Sequence, residues 1–283
     1  VNDSAATRHD DSASSPERYI HGYDTEFTLK QHAGRTAEVH ARWFLPYLRP
    51  DMTLLDCGCG SGSITVGLAA AVAPGHVVGV DIAEVEIERA RERAAGAGAA
   101  NVRFVTGTLY ALDLPGGSFD AVFSHNVLEH LRTPQRALGE MRRVLKPGGV
   151  IGIRDIDAGG HLLAPNDPLL HRWLELHEAD WAGLGGHPRL GRRLRGLLEE
   201  AGFNVVQASA SYDLFADEEG RRLACQLAVS RIREPAYVER LLAKGLADRE
   251  HLAAIAAVWS AWPERTDAFL ALAHGEAVGH NPL

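Results

Sequence analysis

The stretch LLDCGCGSGSITVGLA, Leu54 to Ala69, constrains what this chain can fold into more than any other. A short apolar run ends in Asp56. Gly58, Gly60 and Gly62 follow at every second position, and a helix-like run opens at about Ser63. Twenty-five residues after Asp56, a second apolar run, HVVGVD, ends in another acid, Asp81. Strand, glycine turn, helix, strand, acid is the order of a nucleoside-binding half of a doubly wound sheet. Glycines let the backbone turn sharply and approach a ligand with no side chain in between. A carboxylate at the tip of the second strand can accept two hydrogen bonds from ribose hydroxyls. The pattern points to an adenosine-containing cofactor. The plain alternative is a tight strand-to-helix turn that holds nothing.

The loop spacing narrows the choice. A dinucleotide fingerprint reads G-x-G-x-x-G and seats a pyrophosphate on a helix N-terminus. Here the pattern is D-x-G-x-G-x-G, and an aspartate beside the loop repels phosphate and suits an ammonium group. Further along, Glu84 to Ala99 is rich in helix formers. NVRFVTG, Asn101 to Gly107, reads as a third strand. FDAVFSHNVLEHL contains a fourth strand at Phe119 to Ser124. A helix ending near Leu145, a Lys-Pro-Gly-Gly turn and a fifth strand come next.

Taken in this order, the motifs resemble those of the class I S-adenosylmethionine-dependent methyltransferases. FDAVFSHNVLEHL and VLKPGGV are similar to segments of the small-molecule group that includes the ubiquinone and menaquinone biosynthesis methyltransferases. The resemblance covers about residues 19–202. It implies an α/β, doubly wound, mostly parallel seven-stranded sheet, with strand seven antiparallel between strands five and six. It also implies an N-terminal lid and a helical roof. Residues 1–18 then form a flexible polar tail, 19–48 the lid and a helix over about Thr28 to Leu48, and 49–283 the catalytic domain. Pro168 to Trp181 and Leu190 to Ala201 read as helices, and Phe203 to Tyr212 as strand six. Asp217 to Ala261 looks helical throughout, and Thr266 to Val278 is the last strand. The roof would comprise about residues 166–200 and 217–262.

Cofactor roles carry over as implications of the resemblance. Asp56, Gly58, Gly60 and Gly62 would contact the amino-acid moiety, and Arg35 its carboxylate. Asp81 would hold the ribose, with Ile82 against the adenine. Gly107, Thr108 and Leu109 stand where the family has Gly-Asp-Ala, so the usual adenine contact passes to Thr108 or a backbone group. Ser124, His125 and Asn126 would lie under the methionine portion. For proton removal the first candidates are Tyr23, also a cofactor contact, and His21, both in the lid with Tyr19. His125 comes after them. Asp155, Asp157, His161, His177 and His187 are further candidates, His130 reads as a packing residue, and Trp173 and Trp181 can wall an aromatic acceptor.

Composition limits the partners. The formal net charge is −8, which argues against nucleic acid, because phosphate binding needs a basic surface. RLGRRLRGLL fits an amphipathic helix with a solvated basic face. No run of 18 apolar residues suggests a membrane span, and the polar start lacks the apolar core of a signal peptide. Three cysteines, Cys57, Cys59 and Cys225, make neither a disulfide framework nor a zinc set, and the histidine spacings suggest no metal. A cytoplasmic monomer or homodimer that methylates an oxygen, nitrogen or carbon of a small, aromatic secondary metabolite, indole- or phenol-like, is the leading expectation. A protein or RNA methyltransferase, a non-catalytic cofactor-binding module, and a fold member that uses the bound sulfonium for other chemistry remain alternatives.

Overall fold

A computed structural model describes residues 34–283. Its centre is one mixed sheet. The first half runs β1 (Thr53–Cys57), β2 (His76–Asp81), β3 (Val102–Thr106), β4 (Phe119–His125) and β5 (Leu145–Ile156). These pair in parallel in the order β3-β2-β1-β4-β5. The second half holds β6 (Leu162–Ala164), β7 (Asn204–Phe215) and β8 (Phe269–His280). The last strand, β8, runs antiparallel and lies between β5 and β7, as expected, and the short β6 pairs with its first residues. Strands such as TLLDC and HVVGVD are apolar on both faces because helices cover both sides of a parallel sheet.

The helices are α1 (Ala37–His40), α2 (Thr65–Val72), α3 (Glu84–Gly96), α4 (Pro134–Val144), α5 (Pro168–Gly183), α6 (Leu194–Glu200), α7 (Glu218–Arg233), α8 (Pro235–Ala243) and α9 (Arg249–Ala261). Aspartates set the starts of three of the later ones. Asp167 accepts from the Leu169 N–H at the head of α5, Asp217 from Gly220 at α7, and Asp248 from His251 at α9. Each satisfies a donor that the first helical turn leaves unpaired.

One core fills the face of the sheet under α4 and α6, with Val122, Ile151, Leu138 and Leu198. A second, with Phe44, Leu54, Leu68, Phe123 and Val278, fills the other face. The helices α5, α7, α8 and α9 bury a third of their own around Trp173, Tyr237, Ile255, Trp259 and Trp262. None of the described helices is long and apolar enough to cross a membrane.

One element differs from expectation. A helix over Thr28 to Leu48 is not what the described part forms: only Ala37–His40 is α-helical, and a single 3-10 turn follows at Leu45–Tyr47. Pro46 has no N–H to give and disfavours helix in the residue before it. Packing completes the change, because Phe44 is fully buried with its ring centroid 5.7 Å from that of Phe123.

The turn before α6 docks on β8 through two glycines. A Cβ on Gly275 would stand 2.0 Å from the Gly191 carbonyl oxygen, and one on Gly191 2.6 Å from the Gly275 nitrogen. Backbone on backbone leaves nothing to yield. Gly275→Ala should therefore destabilise the chain by about 3 kcal/mol, the upper end of ordinary overpacking. Urea unfolding should show a lower midpoint, whereas an unchanged midpoint would refute this close approach.

Candidate active site

The carboxyl ends of β1, β2, β4 and β5 open into one cavity of about 300 Å³. The glycine loop forms its floor. The Gly58 and Cys59 N–H groups donate to the Val80 carbonyl at 2.7 and 3.0 Å, and the Gly60 N–H donates to Asp81 Oδ2 at 2.9 Å. Asp81 Oδ1 accepts from the Ala83 N–H at 3.0 Å. The acid at the tip of β2 thus closes the loop while also lining the cavity. Gly58 is at φ +75°, and a Cβ there would lie 2.3 Å from a Val127 methyl. Gly60, at φ +50°, also lines the cavity, and a Cβ there would meet nothing within 4 Å.

Asp56 lines the same space but is almost fully buried, with the Thr65 hydroxyl donating to it at 2.6 Å. Burial drives its carboxyl up to about 7, the Thr65 bond opposing and the Asp81 charge adding to the rise. A cation beside such a carboxyl would favour its charged form and lower that value.

Arg35, Ile82, Gly107, Leu109, His125 and Asn126 also border the cavity. Gly62, Thr108 and Ser124 do not. Gly62, at φ +74°, faces α3, where a Cβ would stand 3.1 Å from Ala90. It serves helix-on-sheet packing. The Thr108 hydroxyl accepts from the Tyr110 N–H at 3.2 Å. Ser124 is fully buried in β4, paired in register with Cys57 and Ile153. Alternation along the strand turns its side chain away from the face that His125 occupies. Tyr19, His21 and Tyr23 lie outside the described residues.

The far wall comes from the roof. Trp173, His177 and Trp181 repeat every fourth residue along α5 and all line the cavity. The Trp173 and His177 rings are 5.4 Å apart and parallel, and His130 stacks on Trp181 at 5.1 Å. His130, read from sequence as packing only, is therefore part of the cavity wall. Burial holds both His130 and His177 down to about 3, so both rings are neutral at neutral pH. His161 lines the cavity as well, and its Nδ1 accepts from the Ala273 N–H at 3.0 Å. Ser230 and Arg231 of α7 and Glu234 just beyond it also border the cavity, with Arg231 and Glu234 paired at 2.5 Å.

Other candidates are otherwise engaged. Asp157 is bound by Arg192 through its backbone N–H and guanidinium, which outweighs burial and holds its carboxyl below the usual value. The His187 N–H donates to the Glu129 carbonyl at 2.7 Å, and the residue does not border the cavity. Asp155 Oδ1 accepts from the Val127 N–H at 2.8 Å and so anchors the turn after β4. Glu129, which sequence reasoning missed, reaches back to the Ile156 N–H at 2.9 Å. The Glu129 and Asp155 carboxyls are both buried. Burial pushes Asp155 up to about 6, and burial with the Asp155 charge pushes Glu129 well up, so the pair keeps a proton. The EH of FSHNVLEHL was the one sequence signal for it. Among the described residues no group of three His, Cys, Asp or Glu side chains is placed to hold a metal ion.

A family model described as methyltransferase domain matches residues 48–202, more than half of the chain. The chain belongs to the methyltransferase domain family. It is 32% identical over 180 residues to an uncharacterised methyltransferase of Schizosaccharomyces pombe, covering 63% of this chain and 64% of that protein. An O-methyltransferase of Aspergillus sclerotiorum is 33% identical over 99 residues, 34% of each chain. The chain thus spans less than two thirds of the length of these curated relatives. The crystal structure of the YcgJ protein of Bacillus subtilis superposes with a TM-score of 0.58 at 18% identity, over 87% of this chain and 99% of that one. At that identity the likeness speaks for the fold alone. The methyltransferase domain is of the class its motifs indicated, and the cofactor of that class is S-adenosylmethionine.

The Asp56 carboxyl gives the domain a pH signature. A carboxylate attracts the cofactor's ammonium and a neutral acid does not. With Asp56 as the ammonium's partner, affinity is full above pH 7 and falls by up to about tenfold per unit as pH drops below it. Calorimetric titration with S-adenosylhomocysteine across about pH 5.5 to 8 checks this, with Asp56→Asn expected to flatten the profile. A flat wild-type profile contradicts it.

Proposed function

We propose that this methyltransferase domain moves the methyl group of S-adenosylmethionine onto an oxygen, nitrogen or carbon of a small aromatic molecule. One observation carries the proposal: the cavity lined by Asp56, Gly60 and Asp81 is also lined by Trp173, His177, Trp181 and His130. The floor suits the cofactor. The Asp81 carboxylate lines the cavity and is an acceptor suited to ribose hydroxyls, Ile82 is a partly exposed apolar side chain beside it, and Gly60 leaves open space.

When bound, S-adenosylmethionine supplies an electrophilic methyl group and its own leaving group. The chain has to place the acceptor atom about 3 Å from that carbon, in line with the sulfur. The aromatic wall limits the acceptor to a flat ring and excludes water. The neutral His130 and His177 rings can each take a hydrogen bond from the acceptor's O–H or N–H and orient its lone pair. Held at about 3 by burial, they orient more than they remove protons. The segment with Tyr19, His21 and Tyr23 enters as a closing lid on sequence grounds alone. A relative named as an O-methyltransferase supports oxygen as the first atom to try. Glu178 and Glu234 border the cavity, and carboxylates there repel the phosphates of an RNA.

Labelled methyl transfer to a panel of small phenols, indoles and amines tests the proposal. Transfer to one of them, with none to RNA or protein, is the expected result. Transfer to RNA or protein alone contradicts it. Binding of S-adenosylhomocysteine should weaken by about 1.5–3 kcal/mol in Asp81→Ala, as for lost hydrogen bonds to a charged group. NAD should not bind. Unchanged affinity in Asp81→Ala would remove Asp81 from the ribose role.

A further inference from the structure

His161 sits where β8 changes partners. The last register pair of β5 with β8 is Ile156 with His274, and β6 takes over with Leu162 opposite Ala271. Between them the chain leaves the ladder through a 3-10 turn, Ala158–Gly160. Ala273 faces that gap. Its carbonyl accepts from the Asp157 N–H at 2.8 Å, and its N–H donates to His161 Nδ1 at 3.0 Å. An imidazole thus satisfies a backbone donor that no strand reaches.

This bond decides the tautomer. An amide N–H only donates, so Nδ1 carries no proton and the ring proton is on Nε2. Burial agrees: it outweighs the opposing charges of Asp157 and Glu178 and holds the ring down to about 4, so it is neutral at neutral pH. The two carboxylates whose charges reach the ring are engaged elsewhere, Asp157 by Arg192 and Glu178 by Arg189. His161 lines the cavity, and among the described residues no group accepts from its Nε2–H. Trp173 lines the same cavity, with its ring parallel to that of His177, and its buried indole Nε1 also has no hydrogen-bond partner. Buried donors are nearly always paired, so donors on a cavity wall call for an acceptor on the ligand.

We propose that His161 determines specificity at the acceptor end of the cavity: its Nε2–H donates to an oxygen of the methyl acceptor other than the atom that is methylated, so that the acceptor is an aromatic ring carrying a carbonyl group. Arg189 and Arg231 are each paired with a glutamate, Glu178 and Glu234, so a neutral carbonyl suits this end better than a carboxylate. His161 leaves the proton acceptors expected from sequence, because its one basic nitrogen is held by Ala273. This assignment rests on the reading of the cavity as an aromatic-acceptor site.

Calorimetry on the full chain, with S-adenosylhomocysteine present, compares two matched pairs of probes: para-hydroxyacetophenone with para-ethylphenol, and 3-acetylindole with 3-ethylindole. Within a pair, a carbonyl replaces a methylene and little else changes. The wild-type chain should bind the carbonyl member of at least one pair about fivefold more tightly or better, the effect of one neutral hydrogen bond. His161→Asn keeps an oxygen that can accept from Ala273 and lacks the Nε2–H. It should lose the preference, bind the ethyl member as the wild type does, and unfold at the same urea concentration. Absence of the preference in the wild type, or its survival in His161→Asn, would overturn the assignment. Equal weakening toward both members would show a structural role and overturn it as well. Binding of neither pair by the wild-type chain would overturn the aromatic-acceptor reading itself, and this assignment with it. Nitrogen-15 spectra of the wild-type protein give a reading independent of any variant: the His161 proton should be on Nε2, and a proton on Nδ1 refutes the proposal.

Discussion

The hydrogen bonds that tie the glycine loop to the end of β2 are the constraint on which the site depends. Val80 accepts from Gly58 and Cys59, and Asp81 accepts from Gly60. With those bonds made, the chain must leave β1 through positive φ at Gly58 and Gly60, which residues with side chains rarely adopt. At Gly60 the loop leaves open space, since a Cβ there would meet nothing within 4 Å. The turn after β4 is set against the same loop, since Val127 fills the place where a Gly58 side chain would be. Asp155 holds that turn by its backbone. The glycine loop and the turn after β4 are thereby fixed against each other at the tips of neighbouring parallel strands, where ligands gather in open α/β sheets.

Over that loop and turn sits the roof. Trp259, Trp262 and Tyr237 are fully buried in the core that α5, α7, α8 and α9 share with Phe215 of β7 and Leu270 of β8. Paired Asp180 and Arg240, at 2.8 Å, tie α5 to α8. Trp173 belongs both to this core and to the cavity wall.

Much of the floor was legible in the sequence because it depends on short-range pattern. The glycine spacing, the acid that ends each of two apolar runs, and the order of strands and helices place Asp56, Gly58, Gly60 and Asp81 without knowledge of long-range contacts. The insertion of β8 between β5 and β7 followed from the family resemblance. Less legible were features that depend on register. Nothing local to FSHN or GIRD says that His125 and Arg154 stand opposite each other, or that Asp213 and Glu276 arrive from later strands to hold the guanidinium. The Thr28 to Leu48 helix failed at Pro46 and at Phe44, where burial against Phe123 outweighed helix propensity. His130 was taken for packing because it recurs in this motif as a helix-packing residue; its place in the cavity wall, stacked on Trp181 some fifty residues away, is a long-range contact.

The central claim is that donor and acceptor occupy one undivided cavity. A bisubstrate ligand, with an aryl group joined to the adenosyl amino-acid unit at the sulfur position, tests it most directly. If the two ends are continuous, joining the parts makes the second contact intramolecular, and the conjugate binds at least about tenfold tighter than S-adenosylhomocysteine. Trp181→Ala should abolish that gain and leave S-adenosylhomocysteine binding unchanged. A conjugate that binds no tighter than S-adenosylhomocysteine, or whose gain survives the loss of Trp181, would contradict the account.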